Sequence, residues 1–265
     1  MIKKRYFFVQ LMGLLLVCLL CGCAKTTRYN INALQDLTAN TGTTRLAPLR
    51  TQGLREAALS VGARGGLAWR AREINLVLLQ NESMLYRLFN FNAMLLDKNI
   101  LPPVLTEGRN TLHLAGSDVI RLADRTFQIL TQARFVTAPP TWRDYLWLSY
   151  STPEIPDKSL LPRTREERFV WKKFILEGWK AGMQQAELIY KENLGRLKRD
   201  YEGMIRYRSL LAQNMVSPPF VGQLDMGVTG GGSDLTVNDR ILRITALPAL
   251  QADSRNWKTE IIPHE

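Results

Sequence analysis

One stretch constrains the fold of this chain more than any other. From Thr164 to Met215, Trp171, Ile175, Trp179, Met183, Ala186, Tyr190, Leu194, Leu197, Tyr201, Met204 and Leu211 recur at helical spacing. Thr164-Arg165-Glu166-Glu167 has the capping-box spacing at its start, and Ser217-Pro218-Pro219 stops it. Glu187–Lys191, Glu192–Arg196 and Glu202–Arg206 are favourably ordered i,i+4 pairs. Fully helical, about 50 residues reach on the order of 75 Å. Gly178, Gly182, Gly195 and Gly203 fall inside it, where a helix kinks or admits a close neighbour. A helix this long needs something to cover its apolar stripe. Packing into the chain's own core is the first reading, and a coiled-coil arm reaching a partner is the second.

The rest of the chain supplies shorter elements. From Leu49 to Asn90 the pattern is again helical, with Leu54, Ala57, Ala58 and Val61 on one face, and Gly62, Gly65 and Gly66 mark a break or a close helix contact. Pro102-Pro103 ends this region. Thr111–Thr137 reads as strands through Leu112/Leu114, Ile120/Leu122 and Phe127/Ile129, with turns at Gly116-Ser117 and Asp124. Trp142, Tyr145 and Trp147 form an aromatic knot, expected in the core or at a neighbour interface. Leu224–Leu247 reads as two strands around Gly230-Gly231-Gly232-Ser233, and the chain from about Gln251 as a loose tail. The expected class is α+β: a helical body with one long amphipathic helix and a small antiparallel sheet from a central and a C-terminal strand group.

The N-terminus fixes an address. Lys3, Lys4 and Arg5 precede an apolar run from Phe7 to Leu20, and small Gly22 precedes Cys23. The run is roughly 14 residues, short of the ~18–20 that span a bilayer. Leu20-Cys21-Gly22-Cys23 looks like the lipobox of bacterial lipoproteins, in which the cysteine is acylated after cleavage. Residues 1–22 are therefore expected to be a lipoprotein signal peptide, with a retained membrane helix or an unlipidated secretory signal as the alternatives. Residues 23–47 are an acylated N-terminus and flexible tether, and residues 48–265 a single α+β periplasmic domain. With Ala24 where an aspartate would favour inner-membrane retention, the expected location is the outer membrane, lipid-anchored and facing the periplasm. Ile31, Leu34 and Leu37 keep helical spacing within the tether.

All three cysteines lie at or before Cys23, so the mature chain has no thiol free for a disulfide, a metal or catalysis. The chain has 35 basic and 24 acidic residues, a net charge of +11; the leader removes three basic residues and no acid, leaving +8. No block of like charges marks a nucleic-acid tail, so nucleic acid is not an expected partner. The two histidines, His113 and His264, stand far apart, without HExxH or CxxC spacing and without a GxSxG elbow. Glu82-Ser83, on a helical stretch, is the one weak echo of a cell-wall lytic enzyme. No catalytic residue, metal or cofactor is expected. The rival from another class is a periplasmic lipoprotein that binds a polyanion, DNA or cell wall.

Several longer strings go further. Leu101-Pro102-Pro103-Val104-Leu105 with Glu107-Gly108-Arg109-Asn110 is one. Ala133-Arg134-Phe135-Val136-Thr137 running into Pro139-Pro140-Thr141-Trp142-Arg143-Asp144-Tyr145-Leu146 is another. Leu211-Ala212-Gln213-Asn214-Met215-Val216-Ser217-Pro218-Pro219 and Gly227-Val228-Thr229-Gly230 complete the set. Together they resemble the DotC family of type IVB secretion systems, called TraI in the conjugation systems of I-type plasmids. The likeness runs from about Leu54 to Leu247. It implies a structural role: an outer-membrane lipoprotein that, with a DotD-like lipoprotein, brings a DotH-like subunit to the outer membrane. It also implies a homo-oligomeric ring within a hetero-complex. The resemblance carries over one position, the acylated cysteine, matched by Cys23.

Overall fold

In the computed structural model the described residues are 30–38, 48–114 and 117–258. Cys23, most of the tether, Gly116 and His264 lie outside them. The helical stripes form three of the helices: α1 (Ile31–Gln35), α2 (Pro48–Gln80) and α3 (Glu82–Leu88). The strands β1 (Ile100–Leu101), β2 (Val104–Leu114), β3 (Ile120–Thr131) and β4 (Arg134–Phe135) follow. Then come α4 (Trp142–Leu146), the long α5 (Arg165–Ala212), and β5 (Phe220–Gly231) with β6 (Asp234–Ala246). The class is α+β, as expected, and α5 is a single helix of 48 residues.

The described residues fall into two compact units. One holds the residues up to Gly65 with Glu154–Trp179; the other holds Gly66–Pro153 with those from Lys180 on. In the first, Trp171 and Ile175 of α5 are fully buried, and Leu34 of α1 is buried too. The Trp171 indole N–H donates to the Leu34 carbonyl at 2.9 Å. The part of the tether that keeps helical spacing thus docks on its own chain. Gly62, Gly65 and Gly66 do not break α2. Gly62 and Gly178 instead mark a helix crossing: a Cβ on Gly62 would strike the Ile175 carbonyl, and one on Gly178 the Leu59 carbonyl. The helical cost of about 1 kcal/mol per glycine is offset by close backbone approach.

In the second unit the core gathers Leu78, Leu85, Phe89, Phe91, Leu101, Val104, Trp142, Leu146, Leu197 and Met204. Tyr201 meets Phe89 and Phe91 edge-on at 5.5 and 5.1 Å. A smaller cluster of Leu105, Tyr207, Leu210 and Val216 seats the root of β2. Strand β2 begins at Val104, ahead of the expected Thr111, because Val104 and Leu105 are core residues. Asp124 is not a turn; it lies inside β3, and the reversal falls between Leu114 and Ile120.

The two strand groups are separate. β2 pairs with β3 and β5 with β6, each as a two-stranded antiparallel hairpin, while β1–β4 is a two-residue pairing. The end of the chain is not loose as far as Lys258. The amide of Gln251 donates to the Met215 carbonyl and that of Lys258 to the Gln213 carbonyl, both at 2.8 Å.

Candidate functional site

The aromatic knot is built on α4. Thr141 caps this helix, and its backbone N–H donates to the Asp144 carboxylate at 2.6 Å. One short turn sends its aromatic side chains to different environments. Trp142 is fully buried and meets Tyr86 edge-on at 5.8 Å. Tyr145 stacks on Phe91 at 5.8 Å and donates its hydroxyl to Asp200 at 3.2 Å. Burial, then the Asp200 charge, pushes the Tyr145 phenol up to about 12, so it stays a donor across the working pH range. Trp147, just past the helix, is 40% exposed.

Arg143 ties this surface together. Its guanidinium donates to Glu82 at 2.8 Å and lies over both Trp142 and Trp147, at 4.8 and 5.5 Å from the ring centres. The hydrogen bond to Glu82, then that to Tyr86, raises its pKa further. The carboxylate of Glu82-Ser83 is thus engaged in an ion pair. Beyond Trp147 the chain is fixed by Asn75 of α2, which donates to the Leu148 carbonyl at 2.8 Å and accepts from the Leu148 amide at 3.1 Å. A shallow groove of about 260 Å³ opens between Trp147, Leu148 and the α2 residues Leu76 and Leu79. Leu76 is 48% exposed, so this shelf offers apolar surface.

The hairpins offer a second surface. At the β2–β3 tip Leu112 faces Leu122 and Leu114 faces Ile120. At the β5–β6 tip Val228 faces Val237. All of these side chains are exposed. At the root of β2, Glu107 gathers Arg109 and Arg125 at 3.1 Å and Arg206 of α5 at 3.3 Å. Burial would raise its carboxyl, but the three arginines together hold it below the ordinary range. His113 stands across from Arg121 on the exposed ribbon. Among the described residues no group of three His, Cys, Asp or Glu is placed to hold a metal.

Sequence reasoning missed two arrangements. Glu167, read as a helix cap, does sit over Thr164, whose Oγ accepts from its amide at 3.2 Å. Its carboxylate, however, is buried and takes a two-point bond from Arg50, at 2.6 and 3.0 Å. Glu187 and Arg206, placed by spacing in i,i+4 pairs, bond Arg70 and Glu107 instead. Nothing in local spacing announces partners a hundred residues away.

Both surfaces lie within the part of the chain that a known family covers. A family model described as type IV secretory system, conjugal DNA-protein transfer matches residues 48–259. The chain belongs to this TraI family. The match spans the described body from the first residue of α2, and it bears out the resemblance drawn from the sequence. The protein is thus a component of type IV secretion and conjugal transfer. No curated protein matches it significantly. Among the described residues no helix is long and apolar enough to cross a membrane.

Proposed function

We propose that this TraI-family chain is a structural outer-membrane lipoprotein of a type IVB secretion or conjugal-transfer core complex, acylated at Cys23 and without a catalytic role. With a DotD-like lipoprotein it recruits and holds a DotH-like subunit at the outer membrane, as a ring within the larger complex. The observation that carries this is the union of two features in one chain: a leader ending Leu20-Cys21-Gly22-Cys23, and a family-matched body that begins at residue 48. Each buried methylene contributes about 0.8 kcal/mol, and a single acyl chain holds only weakly. Three chains on one cysteine anchor stably. The tether then sets the reach of the body, which supplies the contacts between subunits.

The experiment is Cys23→Ser in cells carrying the native system. The expected result is release of the chain into the soluble periplasmic fraction, loss of the DotH-like subunit from outer-membrane fractions, and failed transfer. A freely diffusing chain that still supports full transfer would sink the proposal. Affinity recovery of the wild-type chain from membranes should bring the other subunits with it.

A further inference from the structure

The proposed function places several copies of this chain side by side, and the present inference rests on that reading. We infer that the β5–β6 hairpin is the joint between neighbouring copies: the free edge of β6 in one copy pairs antiparallel with the free edge of β5 in the next.

Three observations lead there. First, the hairpin is long and alone. Its strands have 12 and 13 residues, and among the described residues each pairs only with the other. An isolated two-stranded ribbon is marginal in water. Neither strand contains proline or lysine, so what guards the edge is the register irregularity around Asp225–Val228 and a few charges of both signs, which a complementary strand can pair. Second, its apolar side chains are bare. Leu224 faces Ile241 and Val228 faces Val237, with Leu235 opposite Gly230. Their exposures run from 51% at Ile241 to 70% at Leu235. A monomer seldom leaves such a row in solvent.

Third, the charges choose the occupant and the register. Asp225 stands opposite Arg240 inside the hairpin. When β6 meets the next copy's β5 in the register the hairpin already uses, Arg240 lies beside Asp225 of the next copy. In that same register Val237 lies beside Val228, and Ile241 beside Leu224. A slip of two residues, the smallest that preserves the faces, sets Arg240 beside Gly227 or Gln223 and Asp225 beside Leu242 or Asn238. The unslipped register therefore pairs both apolar groups and charges. Opposite charges across strands stabilise, and like charges destabilise. Lipid is the poorer occupant, since Asp225, Asp234, Asp239, Arg240 and Arg243 lie along the ribbon and charges facing lipid are costly. Head-to-tail pairing of this kind propagates from copy to copy and closes where the rotation allows.

The test uses two differently tagged full-length copies expressed together with the native system. One carries Thr229→Cys and the other Thr236→Cys, residues that face each other in the hairpin register. The expected result is an oxidant-induced disulfide joining the two tags. Arg240→Asp should weaken this cross-link about fivefold, and combining it with Asp225→Arg should restore it. Disulfides only within one tag would overturn the register. Absence of any cross-link, while the tagged chain still co-purifies with other secretion subunits, would overturn the joint and leave the proposed function standing. Absence of both would overturn both. A Val237→Cys copy shielded from a membrane-impermeant maleimide, without a mixed-tag disulfide, would assign the ribbon to lipid or another subunit and overturn the inference.

Discussion

Glu167 shows how one residue serves two levels of structure. Its backbone belongs to the first turn of α5, while its carboxylate sits buried against Arg50 of α2. Arg50 in turn donates to the Ser159 carbonyl at 2.8 Å and the Leu161 carbonyl at 3.2 Å, closing the loop before α5. Removing Glu167 takes away the charged partner but leaves a partly exposed Arg50 its two carbonyl acceptors, so Glu167→Ala should cost about 1–3 kcal/mol in urea unfolding at pH 7. The Arg50 hydrogen bond, assisted by the Arg163 amide and opposed by burial, holds the carboxyl below its ordinary value. A depressed folded pKa contributes stability above the unfolded value of about 4.3 and loses it as pH falls through the folded value. The gap between wild type and variant should accordingly narrow in acid; a constant gap from pH 7 to pH 3 would refute the pairing. The same scale separates the tryptophans. Trp142→Ala should destabilise by about 3–5 kcal/mol, whereas exposed Trp147→Ala should stay near 0.5 kcal/mol. Lost assembly with unchanged melting in the Trp147 variant would mark its shelf as an interface.

At the level of elements, glycine chemistry decides what the helices are. Gly178 and Gly62 let α2 and α5 touch backbone to backbone, and no side chain of either carbonyl neighbour can step aside. Gly195, on the same helix as Gly178, has nothing within 4 Å of its would-be Cβ. Gly178→Ala should therefore destabilise by about 1–3 kcal/mol through overpacking, while Gly195→Ala should stabilise by roughly 1 kcal/mol through helix propensity. Equal effects in thermal melts would refute the crossing. This contrast also explains what was legible in the sequence. The α5 stripe was, because Trp171, Ile175, Ala186, Leu197 and Met204 repeat the helix period and are all buried. The glycines of α2 were ambiguous, because a break and a close crossing use the same residue. The separation of the two hairpins was illegible: alternation reports that a strand is half apolar, not what covers it. Val228 and Leu235 look like core in sequence and stand in solvent. The aromatic knot was legible as a group, but α4 is a single turn, and one turn faces every direction.

For the molecule as a whole, the question is what its positive charge is for. A net charge of +11 invites a polyanion, yet many arginines are already engaged within their own unit. Arg50 is held by Glu167 in the first unit; in the second, Arg70 is held by Glu187, Arg143 by Glu82, and Arg109, Arg125 and Arg206 by the single Glu107. These cations give order to the fold before they offer charge to a ligand. A protein that contacts Z phosphates on duplex DNA loses affinity with a logarithmic salt slope of about −0.9Z. The purified full chain in detergent, titrated with a short DNA duplex from low to physiological salt, should show weak binding with a slope of magnitude about 1 or less. Substituting Glu107→Gln frees three guanidiniums on one surface and should steepen the slope by about 1–2. A wild-type slope already near −4 would mean that the basic surface reads a polyanion, and the chain's role in conjugal transfer would then include touching the transferred DNA.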